Sequence, residues 1–344
     1  MQATTVPLAV VCAASLFAQE PSAAPPPVRT PLQRYEFVAP HMGTLWKLVL
    51  FSHDQSNAHA ARDAVWAKVA QIEQALSDYR EDSELNRFCR AGRTDQPGVF
   101  FREVLVRSLE IARETDGAFD PTVGPMVRLW RASRRTGQLP SSTELEIARH
   151  AVGWTDVKVR SGDGNRALFE LAKPGMQLDF GGIAKGYGQD CALKVLKTLD
   201  ISTFLIDAGG SVLAGDPPAG LPGWKIEIGT PARNSSPEVL WLKNASFDSS
   251  GDAHQFVEMG GRRYSHIVDP QTGLGLTNRI QASVIARDGT TADALSTAFC
   301  VMGEEKTRAF LKRLPHIEAR LVVQREDGKV RVWETKGFHR WLRD

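Results

Sequence analysis

Asp179-Phe-Gly-Gly-Ile-Ala-Lys-Gly-Tyr-Gly188 runs from a short extended segment straight into a helical pattern. Downstream, Ala184, Tyr187, Cys191, Val195 and Leu199 fall on one stripe, which predicts a helix over 183–199. A turn that opens a helix aims free backbone N–H groups and the positive end of the helix dipole at one point. Gly181 and Gly182 let an anion come close to that backbone. Lys185 falls in the first turn, where a cation opposes the dipole unless an anion sits nearby. That mismatch argues for a bound phosphate. The alternative is a glycine turn with a surface lysine. The segment matches neither the Walker nor the Rossmann pattern, so the residues alone leave both open.

On the N-terminal side, Tyr35 to Phe51 reads as extended, with Trp46, Leu48 and Leu50 alternating. Helices are predicted over 58–76, from Val65, Val69, Ile72 and Leu76, and over 104–115, ended by Gly117. Ser141 with Glu144 forms a capping box for a third helix near 145–150. The period then shortens to that of strands, at 157–159, 167–171, 204–206, 224–228, 239–242, 256–258 and 281–286. Helices over 291–302, stopped by Gly303, and 306–314 follow, with a hairpin of 320–324 and 330–334 turning at Gly328. The pattern predicts an α+β protein of mixed sheets with packed helices.

The 344 residues are 42% apolar and 24% charged, enough to bury a sizeable core. Forty-two basic and 40 acidic side chains leave a charge of +2, without the basic face that nucleic acid demands. Arg128, Arg131, Arg134 and Arg135 are read as a solvated helix end or loop. The four cysteines show neither Cys-x-x-Cys pairs nor zinc spacing; Cys191 and Cys300 read as small core hydrophobes. Pro7 to Ala18 is an apolar run too short to span a bilayer, followed by a proline-rich stretch to Pro31. It fits the core of a signal peptide cleaved after Ala18, although Met1 to Thr5 carries no Lys or Arg. Residues 1–33 are therefore read as signal peptide and linker, and 34–344 as one folded domain of an exported protein.

Several other residues can carry chemistry. Asp293 and Thr297, four apart on a predicted helix, project oxygens from one face, as suits Mg²⁺. Alternatively Asp293 supports its helix N-terminus and Thr297 bonds back to a carbonyl. His266 stands in Tyr264-Ser-His-Ile-Val-Asp-Pro-Gln-Thr-Gly273, which is either a plain tight turn or a base beside a turn-held acid. Asp120, after Gly117-Ala-Phe119, is a ligand acceptor or a helix cap. Tyr79 packs in the core or stacks on a flat ring.

Taken in order, Met42-Gly-Thr44, 79–86, Gly117-Ala-Phe-Asp-Pro-Thr-Val-Gly124, 179–190, Asp207-Ala-Gly-Gly210, Ser250-Gly-Asp252, His266-Ile-Val-Asp-Pro-Gln-Thr-Gly273 and Thr291-Ala-Asp-Ala-Leu-Ser-Thr297 closely resemble the FAD:protein FMN transferase family, also called ApbE. The resemblance covers roughly residues 36–335. It implies an ApbE-like α+β fold that binds FAD and Mg²⁺, splits the FAD diphosphate and attaches FMN to a Thr or Ser hydroxyl of a client protein, releasing AMP. Clients of that family are exported or membrane-anchored redox subunits, which implies peripheral contact with the inner membrane. By motif match, Met42, Tyr79, Ala118, Phe119, Asp120, Asp179, Lys185 and Ile267 contact FAD. Gly182, Asp293, Ser296 and Thr297 hold or line the Mg²⁺ site. His266 is the implied base, with Lys185 beside the diphosphate. On this reading Asp293→Ala abolishes transfer with little loss of fold. Hydrolysis of FAD to FMN and AMP, and plain FAD storage, are the rival readings. Two positions depart from the family pattern: Ser211 replaces a common polar amide, and Ala253 replaces a frequent aromatic.

Overall fold

A two-residue turn divides the extended N-terminal stretch. Met42 and Gly43 both adopt positive φ, 49° and 73°, and fold strand β1 (Gln33–His41) back on β2 (Thr44–Ser52) with His41 opposite Thr44. Positive φ at both central residues matches the strand twist of a tight hairpin. The alternation read across 35–51 is thus two strands. The computed structural model describes residues 31–161, 167–229, 238–252, 256–325 and 327–342. The expected signal segment and Ala253 lie outside them. Leu32–Asp344 forms one compact unit.

After β2 come helices α1 (Gln55–Leu76) and α2 (Glu84–Ala91), short β3 (Arg93–Thr94), then α3 (Val99–Glu114), α4 (Gly124–Thr136) and α5 (Ser142–His150). Strands β4 (Val157–Ser161) and β5 (Ala167–Leu171) precede α6 (Ala184–Thr198), β6 (Phe204–Ala208), β7 (Ser211–Ala214), β8 (Trp224–Ile228) and β9 (Glu238–Leu242). The chain closes with β10 (Ala245–Gly251), β11 (Phe256–Met259), β12 (Arg262–Ser265), β13 (Arg279–Ala286), α7 (Gly289–Leu311), β14 (Glu318–Gln324) and β15 (Val330–Glu334). The main sheet has eight strands in the order β1-β2-β6-β7-β10-β13-β14-β15, and every neighbouring pair is antiparallel. With helices against this sheet, the chain has the α+β fold that its periodicity predicts.

The core divides around that sheet. Val65 and Val69 of α1, with Ala192 and Leu196 of α6, pack on Trp46, Leu48 and Ile206. Leu295 and Phe299 of α7 pack on Ala282 and Val284 of β13. Trp224, Leu240 and Phe338 join a third group with Val49 and Phe247. Complete burial of each such side chain contributes roughly 1.5–3 kcal/mol. Cys191 and Cys300 are buried thiols, and burial pushes the Cys300 thiol up to about 12, so both behave as hydrophobes. The capping box at Ser141 and Glu144 is present in full.

One contact positions everything that follows. A Cβ on Gly186 would stand 2.0 Å from the Gly289 carbonyl oxygen, and a Cβ on Gly289 would stand 2.6 Å from the Gly186 oxygen. The starts of α6 and α7 therefore touch backbone to backbone. Asp190 of α6 secures the junction: it accepts from the N–H groups of Gly289 (2.7 Å) and Thr290 (2.9 Å). Asp288 caps α7 itself through Thr291 N–H.

Candidate active site

The two abutting helix starts form the floor of a cleft of about 260 Å³. Asp293, one turn into α7, is 1% exposed and reaches across to α6. Its Oδ1 lies 2.9 Å from Lys185 Nζ, and its Oδ2 accepts the Gly186 N–H at 3.0 Å. The anion that makes Lys185 tolerable in a first helical turn is thus a carboxylate of the protein. Asp293 does support a helix N-terminus, but that of α6 rather than its own. Burial works against the Lys185 charge, yet Asp293 and Asp248 override it and raise its pKa above the ordinary lysine range.

Behind Asp293 lies a chain of hydroxyls. Ser250 Oγ is 3.2 Å from Thr297 Oγ1 and 2.9 Å from Ser296 Oγ. Ser296 donates to Asp248 and lies 2.8 Å from the Asp293 carbonyl. Burial, and then the Asp293 charge, push the Asp248 carboxyl up to about 6. Gly182 abuts Thr297: a Cβ there would meet Thr297 Oγ1 at 3.1 Å. Among the described residues, no three of His, Cys, Asp and Glu gather at one point. An Asp293 carboxylate, a Thr297 hydroxyl and a nearby backbone carbonyl are hard oxygen donors with few charges, as suits Mg²⁺, which keeps waters and ligand phosphates in its shell. The donor set fits that ion.

Loops complete the walls. Ala118, Phe119 and Asp120 line one side. Asp120 does not cap the helix that follows it, α4: its carboxylate takes Thr122 N–H at 2.7 Å and Trp154 N–H at 3.3 Å, and burial raises its pKa. Its loop is pinned to the glycine turn, since Asp179 N–H donates to Pro121 O at 2.8 Å. Asp179 in turn accepts from Gly181 N–H at 2.7 Å. His266 and Ile267 also line the cleft, ahead of a tight turn in which Gly273 N–H meets Asp269 O at 2.8 Å.

The cleft gathers Tyr79, Ala118, Phe119, Asp120, Asp179, Gly182, Lys185, His266, Ile267, Asp293 and Thr297. Two sequence-selected residues stand off it. Ser296 is fully buried behind the floor. Met42, at the hairpin turn, packs with Trp46 against Gly188 and is not in the lining. Tyr79 is no core residue; it is 77% exposed at the rim. Arg128, Arg134 and Arg135 are exposed on α4 as read, but Arg131 is half-buried, and Val127, Trp130, Arg131 and Arg134 present one face of α4 to the cleft. Their spacing of three and four residues was the available signal. Asp248 lay in a strand, β10, that its short serine-rich sequence hides. Ser211, where an amide is common, is itself served by one: Gln189 Nε2 donates to its carbonyl at 2.7 Å.

Fold and cleft define a class, an α+β protein with a carboxylate-and-lysine floor between two helix starts. The ApbE family pattern matches residues 42–321, and the chain belongs to that family. The curated FAD:protein FMN transferase of Treponema pallidum is 32% identical over 309 residues, 85% of this chain and 84% of its own. That of Vibrio cholerae is 30% identical over 87% of this chain and 90% of its own. Among solved structures, the apo Pseudomonas stutzeri flavinyl transferase ApbE superposes with a TM-score of 0.78 at 31% identity, covering 90% of this chain and 97% of that one. The Vibrio cholerae flavin transferase ApbE gives 0.80 at 27% identity, with 91% and 100% covered.

Proposed function

We propose that this chain is an FAD:protein FMN transferase, acting on a Thr or Ser hydroxyl of a client redox protein. The observation that carries the reading is that Lys185, Asp293, Thr297 and His266 line one cleft, on a chain whose curated relatives bear that name. In the proposed step the client hydroxyl oxygen bonds to the phosphorus of the FMN half. The bond from that phosphorus to the bridging oxygen breaks, and its electron pair leaves on AMP. His266 accepts the hydroxyl proton. Lys185, held cationic by two carboxylates, offsets charge on the diphosphate. Asp293, Thr297 and the Gly182 carbonyl would hold Mg²⁺, lined by Ser296, and the ion supplies further neutralisation of the phosphates. The glycine turn and the 118–120 loop position the dinucleotide.

Incubation of the full chain with FAD, Mg²⁺ and an FMN-binding redox subunit tests this. Covalent flavin on the subunit, seen as in-gel fluorescence and the FMN mass increment, is the expected result. Free FMN with AMP means hydrolysis, and unchanged FAD means storage; either overturns transfer. Magnesium removal by EDTA should stop the reaction and its return restore it. Export to the periplasm, with peripheral contact to the inner membrane, belongs to the same proposal. Among the described residues no helix is long and apolar enough to cross a membrane. Fractionation of cells expressing the full chain checks it, and recovery in the cytoplasm alone would reject it.

A further inference from the structure

Arg131 of α4 stands where three segments of the cleft's mouth meet. Its guanidinium carbon lies 4.3 Å from the centre of the Tyr79 ring. One nitrogen pairs with the Asp78 carboxylate, and the other lies 3.4 Å from Asp179 Oδ2. Tyr79 sits in a turn that Asn86 fixes from below, donating to the carbonyls of Asp78 (3.0 Å) and Arg80 (2.9 Å). Arg131 thus covers one face of an otherwise exposed ring and joins that ring to the first residue of the glycine turn.

Core packing does not account for the exposed ring in this arrangement. A ring left 77% exposed contributes little to the core. Asp179 is buried beside Asp78, and two neighbouring carboxylates repel unless a cation bridges them. A planar guanidinium can stack and bridge at once, whereas an ammonium cannot. We propose that Arg131 is a positioning residue that preorganises a ring-binding platform: it locks Tyr79 with its open face toward the cleft and fixes the Asp179 carboxyl group beside it, ready to hydrogen-bond the edge of a stacked flat ring. The inference rests on the FAD reading above and adds a residue that orders the site before any chemistry. Stacking costs least when the platform is ordered in advance.

The test is FAD affinity by flavin fluorescence in the full-length protein, with kcat and KM for transfer measured alongside. Arg131→Met should weaken FAD about tenfold or more, raise KM in step, and leave kcat at saturating FAD within about twofold. Arg131→Lys should recover only a fraction of that loss. Adding Tyr79→Ala to Arg131→Met should cost little more, because the two act as one unit. Separate titrations with FMN and AMP identify the stacked half: only one of them should lose affinity in Arg131→Met. Unchanged FAD affinity, a fall in kcat alone, full rescue by lysine, or losses that multiply in the double variant would each overturn the proposal. Melting temperatures separate these outcomes from misfolding, and Arg131→Lys keeps the charge if the methionine variant fails to fold. Failure of the wild-type protein to bind FAD would instead overturn the functional reading itself.

Discussion

Asp293 carries two duties that its spacing to Thr297 does not reveal. It is a candidate ion ligand, and it is also the tie between Lys185 and the start of α6. Removing it leaves a half-buried ammonium and a buried backbone N–H without their acceptor, so fold and activity should fall together. Asp293→Ala is expected to destabilise by about 2–3 kcal/mol and to abolish transfer. Asp293→Asn retains an acceptor for Gly186 and should lose less stability while still losing transfer. Urea melts beside transfer assays check both, and an Ala variant as stable as wild type would contradict the tie. His266 is different in kind. His266→Ala should bind FAD normally and transfer about 10²–10⁴-fold more slowly, as measured by fluorescence titration and single-turnover kinetics.

The contact between α6 and α7 sets the behaviour of whole elements. Gly186→Ala must push the touching backbones apart and should cost on the order of 3 kcal/mol, read as a lowered denaturation midpoint. Asp190 adds a pH dependence. Burial pushes its carboxyl up to about 6 against the pull of Thr290 and Gly289. Between pH 4 and 6 the folded chain therefore keeps a proton that the unfolded chain has lost. Its contribution to stability is complete below about pH 4 and falls as pH rises through 6, by at most ~1.4 kcal/mol per pH unit. In Asp190→Asn that component of the slope should vanish from melting curves taken across this range. These elements also show what a sequence discloses. The helices α1, α3, α6 and α7 were legible because each carries a long apolar stripe. α2 was hidden by its eight polar-rich residues, and α4 by Gly124, Pro125 and a run of arginines. The strands β7, β10 and β12 are too short or too rich in serine and arginine to alternate clearly. Motif order located most of the lining, yet the α6–α7 tie and the Arg131 bridge depend on contacts between residues 48 to 108 positions apart, which no local pattern encodes.

At the scale of the molecule, the main sheet holds both the first described strand, β1, and the last, β15. β14 brings Ala319 and Leu321 into the same core as Phe299 and Phe310 of α7. A chain ended after Leu311 should therefore be insoluble or molten, with loss of near-ultraviolet circular dichroism; a cooperative thermal transition would refute this. The lining itself extends from Tyr79 to Val301. During synthesis the pocket consequently cannot exist until nearly the entire polypeptide has left the ribosome, and a nascent or clipped copy is inert toward nucleotide. If the protein acts where we propose, intact flavin dinucleotide must reach the compartment in which folding finishes, because no half-made enzyme can carry it there.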